Sequence, residues 1–249
     1  MRVNSYLKDL AQRAIVRNDE RNGINVSIET IKSRLKSYFG NEIKEILIFG
    51  SYRRRTIISR NFDDNSDIDM MVVFDGNLKP QTYLDKLKNF ANEKYARSEV
   101  YQSSPTIVLE LNHIKFELVP AHKITMLNHH MYKIPAPASD YQDWIDTDPS
   151  DLDGTLTNNQ TLRELVMVAK IWNAKQGYIY KSYELEKWIT SNILNYSSDL
   201  KNHFCTFFNS LPIDSNLSSE KMKKIERLQQ AGRIANIMDD ENCIKSLFE

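Results

Sequence analysis

The 249-residue chain balances 33 Lys and Arg against 33 Asp and Glu, and 41% of its residues are hydrophobic and 10% aromatic. This composition excludes an intrinsically disordered chain, and zero formal net charge removes any general electrostatic reason to bind nucleic acid or an anionic membrane, so an anion site has to be local. No stretch approaches the length of a membrane span and the opening segment lacks the apolar core of a signal peptide, which makes a cytoplasmic location the expectation.

Two helices are expected first, Val3 to about Arg17 and Val26 to about Phe39, the second stopped by Gly40. Ile43 to Phe49 is a short, mostly apolar run that empties into Gly50-Ser51 and reads as a buried strand entering a turn. Asp67 to Phe74 has the same strand character. Lys79 to Tyr95, with Tyr83, Leu84 and Leu87 on one side, reads as a helix. Thr106 to Leu111 and Ile114 to Val119 follow as strands, with Asn112-His113 as a two-residue hairpin turn.

His129-His130 are read as loop residues, since adjacent side chains lack helical metal-ligand spacing. Met131 to Thr157, with its prolines and acids, is read as a crossover loop. Beyond it Thr161–Gln176, Tyr183–Tyr196, Asp199–Ser210 and Ser219–Met238 all have helical spacing. Leu162, Leu165, Val166, Ala169 and Trp172 form an apolar stripe that a neighbour must cover. Cys205 and Cys243 are far apart and form no metal or redox pattern. The expected fold class is therefore α+β, a mixed sheet half followed by a helical half, with substrate in a cleft between them.

Gly50 permits a tight turn in which the following amides and the Ser51 hydroxyl approach phosphate oxygens closely. Asp67 and Asp69 are two apart on a strand, so both carboxylates leave one face, roughly 6 to 7 Å apart along the backbone. Crowded anions raise at least one pKa unless a cation is present, which makes sense of the pair chiefly with Mg²⁺, or Mn²⁺ in its place. Glu117, in the alternating run Ile114 to Val119, is the candidate third carboxylate. Glu110, across from Lys115 and on the same face as Glu117, is read as a cross-strand ion pair, with a place in the metal site as the alternative. Arg53, Arg54, Arg55 and Arg60 form a local basic cluster, either a solvated helix face or a phosphate neighbour. Tyr178, Tyr180, Tyr183 and Trp188 are read mostly as packing residues, with base stacking the alternative role.

Three segments together, Phe49-Gly50-Ser51-Tyr52-Arg53-Arg54-Arg55-Thr56, Ser66-Asp67-Ile68-Asp69 and Phe116-Glu117-Leu118-Val119-Pro120-Ala121, resemble the cGAS/DncV-like nucleotidyltransferases of the polymerase-β superfamily. Within that group the chain looks like the bacterial synthetases of second-messenger oligonucleotides or dinucleotides. Leu162-Arg163-Glu164-Leu165, Lys170-Ile171-Trp172-Asn173 and Ser182-Tyr183-Glu184-Leu185-Glu186 resemble the family's helical spine, so the likeness covers most of the chain. It implies a nucleotidyltransferase core with N-terminal helices over residues 1–138 and an oligoadenylate-synthetase-like helical half over residues 139–249. It nominates Lys170 and Ser182 as triphosphate contacts and Thr56 as a further nucleotide neighbour. Against these stand a surface lysine, a helix cap and a turn hydroxyl. The family usually has Asp where Glu117 stands, one methylene shorter.

The implied activity is Mg²⁺-dependent condensation of nucleoside triphosphates into a cyclic or short linear signal, with loss of pyrophosphate, in antiphage defence of the CBASS type. An effector protein that reads the product is implied by the resemblance alone. Two other readings remain at this point: a transferase of the same fold that adds nucleotides to RNA, DNA or a protein hydroxyl, its own included, and a non-catalytic nucleotide-binding regulator.

Overall fold

The computed structural model describes the chain except residues 77, 104, 127–128, 138–142, 194–198 and 214–215. It divides into two compact units: residues 16–53 with 65–151, and residues 1–15 with 54–64 and 152–249. Neither unit is contiguous in sequence, unlike the division at 138/139 expected from the resemblance. The chain leaves and re-enters each unit because α1 (Val3–Ala14) and residues 54–64 pack with the C-terminal helices.

The first unit is built on a sheet with strand order β1 (Ile43–Ile48), β2 (Asp67–Phe74), β5 (Lys115–Met126), β4 (Thr106–Glu110) and β3 (Glu99–Ser103). β2 and β5 run parallel and the other neighbours antiparallel. A parallel pair needs a crossover, and α4 (Pro80–Lys94) with the β3–β4 hairpin supplies it. α2 (Asn18–Phe39) buries Ile24, Ile28, Ile31, Leu35 and Phe39, spaced as one helical face. Rings from α2, α4 and β2 meet at Phe39–Phe74 (5.3 Å), Phe39–Phe90 (5.9 Å) and Phe74–Tyr83 (4.6 Å). On the other sheet face, Met71, Val73 and Ala121 pack with Leu47, Phe49, Tyr132 and Ile134.

β5 is long because it serves two partners. Its antiparallel pairing with β4 reaches Leu118, and pairing with β6 (His129–Pro135) begins at His122. Pro120, with no amide hydrogen to give, falls in the gap. β6 in turn pairs with β7 (Trp144–Thr147).

These strands correct the expected loop over Met131–Thr157, which also contains α5 (Asp153–Thr157), and they place His129 and His130 in β6. The prolines and acids concealed a period-two alternation in which Tyr132 and Ile134 turn to the core. β3 adds a strand that the sequence pattern does not signal, because it is a polar edge strand whose positions are exposed or half-buried. The hairpin at Asn112-His113 forms as expected, with Leu111 N–H donating to Ile114 C=O at 3.1 Å.

The second unit is helical. α6 (Gln160–Lys175) is its axis, buried at Leu162 and from Leu165 through Asn173, and Asn159 caps it by accepting from the Leu162 amide at 3.0 Å. α1, α7 (Ser182–Asn192), α8 (Leu200–Asn209) and α9 (Ser219–Met238) supply the residues around it, among them Leu7, Leu185, Phe204 and Leu228. α7 begins one residue before the expected helix start, and the Tyr196 end of that expectation lies outside the described residues. Residues 54–64 join this unit through a bridge between Ile15 and Ile58 and a bond from Ser59 N–H to Ala14 C=O at 2.8 Å. Among the described residues, no helix is long and apolar enough to cross a membrane.

Candidate active site

The parallel register of β2 and β5 sets Asp67 beside Lys115 and Asp69 beside Glu117, so all four side chains leave one face of the sheet. Further along β2 the same face is covered at Met71 and Val73, whereas Asp67 and Asp69 remain half-buried. One end of the face is thus closed by apolar packing and the other is open and acidic.

Gly50 closes against this acidic end. It has φ +67°, and a Cβ built on it would stand 1.8 Å from Asp69 Oδ2. A side chain at this position would strain the backbone and force the Asp69 carboxylate to move. Phe49 N–H donates to Asp69 C=O at 3.1 Å, which ties the end of β1 to the carboxylate strand. Ser51 follows in α3 (Gly50–Arg54), a short helix beginning at this contact. The structure therefore brings Gly50, Ser51, Asp67, Asp69 and Glu117 to one place, as the sequence led us to expect.

Lys115, which the sequence matched only with Glu110, also stands between two of the carboxylates. Lys115 lies opposite Glu110 in the β4–β5 register, yet its Nζ stands 3.5 Å from both Asp67 Oδ2 and Glu117 Oε1. Burial works against its ammonium, but Asp67 and Glu117 outweigh burial and hold its pKa above the usual lysine value. Glu117 Oε2 also has the Thr106 hydroxyl at 3.4 Å. Among the described residues no three acidic, thiol or imidazole side chains close into a metal cage. What is present is an all-oxygen donor set with a cation already between two of its members, which suits a hard divalent ion.

A second charged group lies within the helical unit. Glu186, only 1% exposed, accepts from Arg54 Nε at 2.7 Å and from the Thr56 hydroxyl at 2.9 Å, and it also pairs with Lys170. Lys170 Nζ donates in addition to the Thr56 carbonyl at 3.2 Å. Burial would raise the Glu186 pKa, but Lys170 and Arg54 outweigh it and keep the carboxyl below its ordinary value. Ser182 opens α7 one turn before Glu186 and shares its helix face.

Thr56 and Lys170 are thus buried together rather than lying in a turn or on a solvated surface. The basic cluster is divided: Arg54 is buried on Glu186, Arg53 and Arg55 are exposed, and Arg60 donates to Asp64 C=O at 3.2 Å. Of the aromatics, Trp188 packs edge-on against Phe207 and Tyr180 donates to Pro212 C=O at 2.6 Å, whereas Tyr178 and Tyr183 are exposed. Glu186 is not among the residues the motifs nominate, although a lone acid on the apolar side of α7 and a lone lysine in the stripe of α6 signal complementary burial.

The model of the Second Messenger Oligonucleotide or Dinucleotide Synthetase (SMODS) domain matches residues 1–159, well over half of the chain. The chain belongs to the SMODS family. The SMODS match contains Gly50, Ser51, Thr56, Asp67, Asp69 and Glu117, while Lys170 and Ser182 lie beyond it. A curated protein of Bacillus cereus (strain VD146), named a probable cyclic nucleotide synthase, is 28% identical over 84% of this chain and 74% of its own length.

Among solved structures, the Bradyrhizobium diazoefficiens CD-NTase CdnG in complex with GTP matches with a TM-score of 0.77 at 12% identity, over 98% of this chain and 95% of its own. The Vibrio cholerae cyclic AMP-GMP synthase DncV, a prokaryotic cGAS homologue, matches with a TM-score of 0.72 at 11% identity, over 95% and 91% of the two chains. The fold is that of the cGAS/DncV-like nucleotidyltransferases, and this SMODS protein is a nucleotidyltransferase.

Proposed function

We propose that this SMODS protein condenses nucleoside triphosphates into a cyclic or short linear oligonucleotide second messenger. In each step a ribose hydroxyl oxygen bonds to the α-phosphorus of a second nucleotide, the bond to the bridging oxygen breaks, and pyrophosphate leaves. The observation that carries this reading is Gly50, stripped of any side chain, lying against the Asp69 carboxylate on the open acidic face. That contact joins a phosphate-compatible turn to the acids in a single site.

Asp67, Asp69 and Glu117 are the residues that would hold Mg²⁺ or Mn²⁺, and the ion would supply activation of the attacking hydroxyl and neutralisation of triphosphate charge. Glu117 takes the proton of that hydroxyl. The amide and hydroxyl of Ser51, presented by the positive-φ turn at Gly50, bind phosphate oxygens. Lys170, Ser182 and Thr56 are assigned to the nucleotide on the family resemblance, with Glu186 fixing the Lys170 ammonium. The exposed Tyr183 ring, next to Ser182, offers a face for a base. A signal requires a reader, so an effector protein and a setting in cytoplasmic antiphage defence belong to the same proposal.

The test is incubation of pure protein with Mg²⁺ or Mn²⁺ and all ribo- and deoxyribonucleoside triphosphates, without acceptor, followed by mass spectrometry. Phosphatase-resistant cyclic species, or a defined ladder absent from the Asp67→Asn, Asp69→Asn protein, are the expected products. Product that forms only after RNA or a protein acceptor is added overturns the proposal in favour of a macromolecule-modifying transferase.

A further inference from the structure

Lys115 takes no part in the chemistry assigned above, yet it occupies the middle of the acidic site. Its side chain is only 13% exposed, and its Nζ is equidistant, at 3.5 Å, from carboxylate oxygens of Asp67 and Glu117. These belong to two neighbouring parallel strands at positions that are not in register with each other, Asp67 pairing with Lys115 and Asp69 with Glu117. The ammonium therefore bridges the site diagonally, where a cation sharing both acids has to lie.

We propose that Lys115 is a built-in counter-cation of the carboxylate site, which the divalent ion must displace. The inference rests on the reading of Asp67, Asp69 and Glu117 as metal ligands. Without a bound ion, three carboxylates on one sheet face repel one another, and a lysine on a flexible stem relieves that repulsion while remaining able to withdraw. An ion that uses both Asp67 and Glu117 takes the place of the ammonium, so the two cations compete. Metal alone then binds weakly, and occupancy depends on the additional phosphate oxygens that a nucleoside triphosphate brings. The competition explains why the acids are gathered on one face yet not closed into a cage.

The experiment is Mn²⁺ binding by the nucleotide-free protein, read from the electron paramagnetic resonance signal of free Mn²⁺. Wild type, Lys115→Met, Lys115→Gln and Lys115→Arg are compared, each with and without Asp69→Asn. Thermal unfolding with and without Mn²⁺ reports folding of each variant. The expected result is affinity about tenfold tighter or more in Lys115→Met and Lys115→Gln, with Lys115→Arg close to wild type, because a unit charge at this range is worth at least about a decade. The neutral variants should also gain more thermal stability from Mn²⁺ than wild type gains.

Unchanged or weaker affinity in both neutral variants, with binding still abolished by Asp69→Asn, overturns the role of Lys115 and leaves the metal site standing. Mn²⁺ binding that ignores Asp69→Asn in every variant overturns the metal site and the role of Lys115 together.

Discussion

The molecule carries two clusters of charged side chains that are opposite in almost every respect. On the sheet, Asp67, Asp69 and Glu117 outnumber Lys115, and the acids are half-buried on an open face. In the helical unit, Arg54 and Lys170 outnumber Glu186, and all three are buried. An excess of negative charge at an accessible face is unfavourable unless a cation arrives, so it is suited to recruiting one. A buried group in which each charge has a partner already meets its electrostatic demand within the fold, and its first task is to hold chain segments together. Accessibility and the sign of the excess, rather than the number of charges, separate the proposed catalytic face from a cluster whose charges are paired inside the fold.

The comparison is broken most severely by removing the acids. Asp67→Asn with Asp69→Asn is expected to lower product formation by more than about a thousandfold in the mass-spectrometric assay, while circular dichroism and the unfolding midpoint stay near wild type. A large loss of stability in that variant assigns the acids to the fold rather than to chemistry. Glu186→Gln reverses the pattern. It leaves two buried cations without their shared anion and should cost about 3–5 kcal/mol in urea unfolding. A variant of wild-type stability shows that Arg54 and Lys170 do not depend on that carboxylate.

Gly50→Ala tests the contact that joins turn and acid. The positive φ and the 1.8 Å approach to Asp69 should together cost about 1–3 kcal/mol and shift the carboxylate strand, with nucleotide turnover falling further than stability alone explains. The smallest effect is in pH. Because the folded pKa of Glu186 lies below its ordinary value of 4.5, its stabilisation is complete above that pH and is lost as pH falls through the folded value. The stability gap between wild type and Glu186→Gln should therefore be constant near neutrality and narrow below about pH 4.5. A gap that persists at lower pH places the destabilisation in packing rather than in charge.

Legibility in the sequence followed the range of the interactions. β2 was read to the residue, because Asp67 to Phe74 combines a two-residue acid spacing with an unbroken apolar run. α9 was read to the residue as well, from Ser219 to Met238. β6 and β7 were not, since their evidence is a short alternation whose meaning depends on Met71, Val73 and Ala121 lying beneath Tyr132 and Ile134. Cross-strand register, a local rule, sets Lys115 opposite Glu110, whereas its contacts to Asp67 on the next strand and Glu117 on its own depend on the folded sheet.

The sequence by itself determined the acids, their common face and the glycine before them, since strand periodicity and the absence of a side chain are properties of nearest neighbours. Only the tertiary structure decided that Gly50 lies on Asp69, that Lys115 stands between Asp67 and Glu117, and that Arg54, Thr56 and Lys170 converge on Glu186. Those contacts join residues between 2 and 132 positions apart. A charge settles where desolvation and all its neighbours together allow, and that balance exists only once the chain has folded.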